Sequence, residues 1–263
     1  MWKWLVAALV FVTPTVAAKW YVAPSGSGTE CAQSSPCWYV APSGSGTECA
    51  QSSPCAPQDA VEKCYETNNP RRGCTIFFAD GLYQLSGQIG VNLYFHYIVN
   101  LRGNCDDPSA VELQQETDGG AVIYVQDFQI AGISCLKVSA EANNVVGIAG
   151  RQHVIIDLDR ITFGAMATHI SLTEFAKASC AGTMTITGGD VTHASVSMNS
   201  QYNLLCRYAL SGAPEFSYFV SAADFSVVDA SLFSFTGSAD GAKCHQVRSV
   251  IHGADRLPGS VDC

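Results

Sequence analysis

The chain predicts an all-β solenoid, a parallel β-helix of about 24 residues per coil whose N-terminal end is capped by a short helix. Three observations carry that expectation. Gly164, Gly188, Gly212 and Gly237 fall 24, 24 and 25 residues apart, and a constant period of this size marks a repeat architecture. Each glycine closes a short run, at 161–164, 185–188, 209–212 and 234–237, in which apolar and small polar residues alternate with the period of a strand. Charged residues make up only 14% of the 263 positions, a balance that suits stacked strands better than amphipathic helices.

Counting back two and four residues from each glycine gives the rows Thr162, Ile186, Leu210, Phe235 and Arg160, Met184, Tyr208, Phe233. In the last three coils both rows suit an interior and predict continuous buried ladders. The first coil is out of phase, with Ile161 and Phe163 as its apolar residues, so a bulge or one-residue slip is expected before Gly164, because a slip of one exchanges the two faces of a strand. The glycines themselves are read as turn residues that take positive φ without steric cost.

Residues 1–18 read as a secretory signal: an early Lys3, an apolar run at 5–12 and the small residues Val16, Ala17 and Ala18 at the positions a signal peptidase recognises. That run is too short to span a bilayer, so a soluble secreted chain starting near Lys19 and without a membrane span is expected. Without Lys3 the chain carries 13 basic against 23 acidic residues, a net charge of about −10, and shows no basic face for nucleic acid. Twelve cysteines in a secreted chain read first as disulfides. The pairs expected between sequence neighbours are Cys31–Cys37, Cys49–Cys55, Cys64–Cys74, Cys105–Cys135, Cys180–Cys206 and Cys244–Cys263. A strict 24-residue register sets Cys180 opposite Leu204, so the fifth pair requires a local departure from that register.

The sequence WYVAPSGSGTECAQSSPC at 20–37 recurs without a change at 38–55. Eighteen residues do not make a coil, and identity without drift fits a recent duplication or a sequence error better than two selected modules. One copy, the second, is expected to pair with the solenoid through Trp38, Tyr39 and Val40; residues 19–55 are then an N-terminal extension and 56–263 the β-helix domain. A tandem binding module displaying Trp20 and Trp38 is the functional alternative. PQDAVEKCYET at 57–67 places a proline at a first helical position ahead of good helix formers. It predicts the helix that covers the open end, where an uncapped coil would expose an apolar cross-section and an unpaired strand edge. Residues 73–83 read as the first coil, 97–104 and 121–138 as two more, and 244–263 as an aperiodic closing cap.

The start at 38–47, the Ser-Pro-Cys at 53–55, the helix, and IFFADGLY at 76–83 together resemble the capping region and first coil of secreted bacterial right-handed parallel β-helix proteins of the pectin-lyase-like class. LRGNCDDPSAV at 101–111 and LPGSV at 257–261 are similar to uncharacterised members of that group. The resemblance covers nearly the whole mature chain and implies the right-handed fold. It leaves activity open, because that fold carries polysaccharide lyases and hydrolases, tailspike-like proteins and adhesins.

Polysaccharide cleavage needs paired carboxylates, or carboxylates holding calcium beside a base. Asp157, Asp159 and Arg160 are the candidate set, since alternation places both acids on one strand face about 7 Å apart; calcium enters only with a lyase. Two solvated acids balanced by Arg160 are the simpler account, and the Asn-Thr-Asp, Gly-Asp-Asp, Gly-His-Gly and Arg-x-Pro-x-x-Arg patterns of known pectin-cleaving enzymes are absent from the sequence. His169 and His193, 24 apart, are expected to stack on adjacent coils; they are candidate metal ligands, with Asp190 the nearest third group, or else a ladder along a turn edge. The aromatic groups at 94–97 and 216–219 read as sugar platforms or as core. The expectation is therefore a secreted protein that binds polysaccharide without cleaving it and needs no cofactor. A lyase or hydrolase is the alternative, and the third reading is an adhesin or a trimeric tailspike-like protein, the latter requiring an exposed apolar stripe along one ladder.

Overall fold

The computed structural model describes residues 37–45, 49–50, 54–67, 73–92, 98–189 and 191–263. The expected signal, the first copy of the repeat as far as residue 36, with it Cys31 of the expected pair Cys31–Cys37, the aromatic group at 94–97 and Asp190 lie outside the described residues. The chain is a parallel β-helix built of three sheets of nine, seven and seven strands, in which every pairing is parallel and joins one coil to the next.

Each coil contributes one strand to each sheet; Val146–Arg151, Ile155–Asp159 and Thr162–Phe163 form one such coil. In the first, nine-stranded sheet the inward ladder runs Val99, Ala131, Ile156, Ala178, Tyr202, Val228. Tyr202 sits between Ala178 and Val228, so a large side chain fills the space that a small neighbour leaves, as close packing in the bore demands. Tyr83, Leu113, Val138, Phe163, Ile186 and Leu210 form the matching ladder in the third sheet, and all of them are buried.

Coil length varies along the helix. Ile155 pairs with Lys177, Lys177 with Gln201 and Gln201 with Val227, steps of 22, 24 and 26 residues. The slip expected before Gly164 is present: Phe163 pairs with Ile186 at a step of 23, which keeps Ile161 and Phe163 inside. The last coil departs from the expected rows. Tyr208, not Leu210, pairs with Phe235, because extra chain around Pro214 shifts the register by two, and Phe235 is left 40% exposed. Phe233 stays inside, 5.0 Å from the Tyr208 ring.

The four glycines divide into two kinds, a correction to the turn reading. Gly212 and Gly237 do take positive φ, +78° and +89°. Gly164 and Gly188 do not; they are sites of close approach, where a Cβ would lie 2.8 Å from Ser139 Cβ and 2.5 Å from the Ala165 backbone nitrogen. Positive φ is instead concentrated in non-glycine pairs at the corner between the second and first sheets: Asp127 with Phe128, Gln152 with His153, Glu174 with Phe175, Met198 with Asn199, Asp224 with Phe225.

The ends are closed by covalent ties. Cys37–Val40, where the first copy ends and the second begins, adds a strand to Cys74–Phe78 with Trp38 opposite Ile76, and Cys49–Cys55 folds the rest of the second copy back on it. The helix Pro57–Thr67 buries Ala60, Val61 and Cys64 over the open bore and is pinned by Cys64–Cys74. Cys105–Cys135, Cys180–Cys206 and Cys244–Cys263 are also formed. The fifth pair resolves its register problem by leaving the strand: Gln201–Asn203 ends early and the following bend brings Cys206 to 5.4 Å from Cys180, Cα to Cα. At the other end the period persists further than expected, through Asp240–Val247 and Val250–His252; the cap proper begins at Gly253. Gly188→Ala should lower stability by roughly 1–3 kcal/mol, because its neighbour is backbone and cannot move aside. Gly212→Asn, with open space around it and a tolerated left-handed residue, should cost about 1 kcal/mol or less. Thermal unfolding of the two variants checks that order.

Candidate functional site

Outward residues of the first sheet stack coil on coil into columns. The central column is polar: Asn100, Gly132, Asp157, Ser179, Asn203 and Asp229 are register partners in succession, followed by His252. Asp159 stands in the next column, which runs Arg102, Ser134, Asp159 and Ala181. Where the two columns adjoin, Asn100, Ser134, Asp157, Asp159, Ser179 and Cys180 help line a shallow groove of about 310 Å³.

Alternation thus places Asp157 and Asp159 on one outer face, as expected, and both line the groove. Ser179 Oγ donates to Asp157 at 2.7 Å. Arg160, held at positive φ, turns its guanidinium back so that Nε and Nη2 each lie 3.2 Å from Asp159, while Nη1 donates to the Cys105 carbonyl at 3.2 Å. Three guanidinium nitrogens are therefore engaged, and Arg160 joins the groove to the loop carrying the Cys105–Cys135 bridge. Two glycines clear space for this arrangement: a Cβ on Gly182 would strike the Asp159 carboxylate, and one on Gly132 would strike the Asn100 side chain. The next coil answers the acids with Ser179 and Ala181, so no carboxylate adjoins them there.

His169 and His193 stack as expected, ring centroids 5.2 Å apart, but inside the bore and not along a turn edge; both are fully buried. Their Nδ1 atoms lie 3.0 Å from each other, His169 Nε2 lies 3.0 Å from the Gly164 carbonyl, and His193 Nε2 lies 3.0 Å from the Tyr208 hydroxyl, itself 3.0 Å from that of Tyr202. One proton order satisfies every link. A carbonyl only accepts, so His169 carries its proton on Nε2 and accepts at Nδ1; His193 then donates from Nδ1 and accepts from Tyr208, which accepts from Tyr202. All four ring nitrogens are used by this chain. Among the described residues no group of three potential ligands gathers around the pair. Phe216 and Phe219 pack against these histidines as core, and only Tyr218 of that group turns outward, against His245.

Asn203, Asp229 and His252 were not legible as partners of Asp157, because steps of 22, 24, 26 and 23 residues defeat a fixed period. Strand alternation joined to the true register is the signal that finds them.

No family model matches the chain, and no curated protein matches it. Among solved structures it is similar to Escherichia coli YbhC, at 15% identity and a TM-score of 0.48, over 95% of this chain and 80% of that one, a likeness too loose to bear on site residues. Among the described residues no helix is long and apolar enough to cross a membrane.

Burial drives the His169 pKa down to about 4, against a smaller opposing pull from the Gly164 and Gly188 backbone, and burial beside His169 drives His193 well down too. The unfolded chain therefore binds more protons than the folded one between pH 6.5 and 4. Stability is complete above that window and lost as pH falls through it, on the order of 3 kcal/mol for His169 alone. Urea unfolding from pH 7 to 4 should show this loss, with a flatter slope in His169→Gln. The depressed acids Glu174, Asp229 and Asp262 add their own loss, as pH falls through still lower values.

Proposed function

We propose that this chain is a secreted, non-catalytic protein that binds an extended, uncharged polysaccharide along the outer face of its first sheet. The observation that carries this reading is the polar column from Asn100 to His252, kept in register across successive coils. Parallel strands repeat at about 4.8 Å, so the column offers hydrogen-bonding groups at a regular interval along one line, as a polymer of repeating sugars does. The five disulfides among the described residues support an oxidising, extracellular setting. The formal charge of −9 disfavours acidic glycans.

Cleavage is the second reading, favoured by one observation, the shared groove of Asp157 and Asp159. Against it stands Arg160, whose guanidinium is already taken up by Asp159 and Cys105 and offers no base to a substrate. Calcium would be needed only in that second reading.

The test is a binding assay of the oxidised mature chain against neutral and acidic polysaccharides, run beside reducing-sugar and unsaturated-product assays with and without calcium. Retention on a neutral glycan is expected, weakened about tenfold by Asp157→Ala or Asn203→Ala, the effect of losing one hydrogen bond in the column. Product formation abolished by Asp159→Ala would replace this reading with a lyase or hydrolase, and failure to retain any glycan would remove it.

A further inference from the structure

Beside the polar column the first sheet carries a second outward column of different character: Ile98, Ile130, Ile155, Lys177, Gln201 and Val227 are successive register partners, ending at Val250. The adjoining corner turns extend it. Phe128, His153 and Phe175 stack there with ring centroids 5.0 and 4.8 Å apart, and Phe225 projects from the same turn two coils on. Phe128 is 50% exposed, Phe175 49%, Phe225 68%, Ile155 43% and Val250 44%. Taking about 200 Å² for a Phe ring and somewhat less for the aliphatics, these five leave on the order of 500 Å² of apolar surface in one strip parallel to the helix axis. A standard interface buries about 800 Å² per partner, of which roughly 57% is apolar. The strip is of that size.

We infer that this strip binds a second copy of the same chain, antiparallel, about a two-fold axis crossing it between Lys177 and Gln201. The order of residues is what selects this partner. A two-fold axis there sets Ile155 opposite Val227 of the second copy, Ile130 opposite its Val250, and Lys177 opposite its Gln201, so apolar meets apolar at both ends and polar meets polar in the middle. In the corner column it brings the second copy's Phe225 to His153, against the edges of the Phe128–His153–Phe175 stack, the edge-to-face arrangement that rings prefer. Along the rim it sets Asp127 opposite Arg248 at both ends of the contact, where Arg248 also holds Asp224 of its own chain at 3.2 Å. An isologous interface has to be self-complementary in this way.

Other occupants fit less well. The stacked rings lie within 12° of parallel and cover one another's faces, so a sugar meets mainly ring edges. Glu174 and Asp224 beside the strip are paired with Arg151 and Arg248, and Asp127 offsets Lys177, so the strip has no net basic charge with which to hold an anionic lipid surface. The polar column and the Asp157–Asp159 groove lie further along each strand, and the inference rests on no part of the glycan reading.

Sedimentation equilibrium of the oxidised mature chain tests it. A dimer is expected in the micromolar range, and Ile155→Asp, an exposed position, should give a monomer whose melting temperature matches that of the parent diluted below its dissociation constant. In an Asp224→Asn background, which removes the own-chain partner of Arg248, Asp127→Arg and Arg248→Asp should each weaken the dimer, and the two together should restore it to within a few-fold of that background. A parent chain that stays monomeric to high micromolar concentration, or a dimer indifferent to Ile155→Asp, would overturn the interface. Failure of the double exchange to restore association would overturn the antiparallel register.

Discussion

Among the described residues every strand pairs with a strand of another coil. A backbone N–H or C=O in Ile155–Asp159 is satisfied by the coil before or the coil after, and buried unpaired backbone is costly. Register between coils is therefore the constraint on which the rest depends. Once it is fixed, the identity of the residue at each position decides the bore and the surface together: one ladder inward, its neighbours outward, with no freedom to rotate one coil alone. It also explains how coil length can vary while the ladders hold, since the extra residues of a long coil are expelled into loops between strands, as around Pro214, and the strands keep their partners.

The same constraint explains a polar chain in the middle of the bore. His169 and His193 occupy a place in the second sheet where successive coils bury two adjacent residues, His169 with Ile170 and His193 with Ala194, so a side chain there cannot escape to solvent. Isolated, each imidazole would carry an unpaid desolvation cost. Joined to Gly164, Tyr208 and Tyr202, the rings are satisfied from one end to the other, and the fixed acceptor at Gly164 orders every proton in the chain. Such a network specifies which coils lie next to each other, because a slip by one residue would strand all of its members.

The architecture was legible in the sequence because strand alternation and coil period are properties of backbone geometry, which recurs. The helix at 57–67, the slip before Gly164 and the disulfides from Cys49–Cys55 to Cys244–Cys263 followed from local chemistry. What was not legible depends on cumulative register. Asp157 and Asp159 could be placed on one face because two residues in a strand decide it, whereas Asn203 and Asp229 could be joined to them only by knowing each coil length. The burial of the two histidines escaped for a related reason: the doubled inward pair at that corner breaks the alternation from which exposure was inferred. The turn role given to Gly164 and Gly188 failed because a glycine kept for close approach and a glycine kept for positive φ look the same in a sequence.

The corner turns beside the first sheet carry a backbone cost of their own. Left-handed backbone costs an L-residue roughly 1–2 kcal/mol, and five successive corners place two non-glycine residues there. Inter-coil bonds hold them: the amide of Phe128 donates to Gln152, that of His153 to Glu174, that of Phe175 to Met198 and that of Phe225 to Arg248. These bonds are made by backbone and would be made equally well by glycine, which bears no such cost. The strain at Phe128, Phe175 and Phe225 thus accompanies large side chains that face solvent and fill no part of the core. Such strain persists only where the surrounding structure fixes it; here the ring stack of Phe128, His153 and Phe175 helps to do so, and it lines up, coil after coil, with the exposed aliphatic column of the adjoining strand.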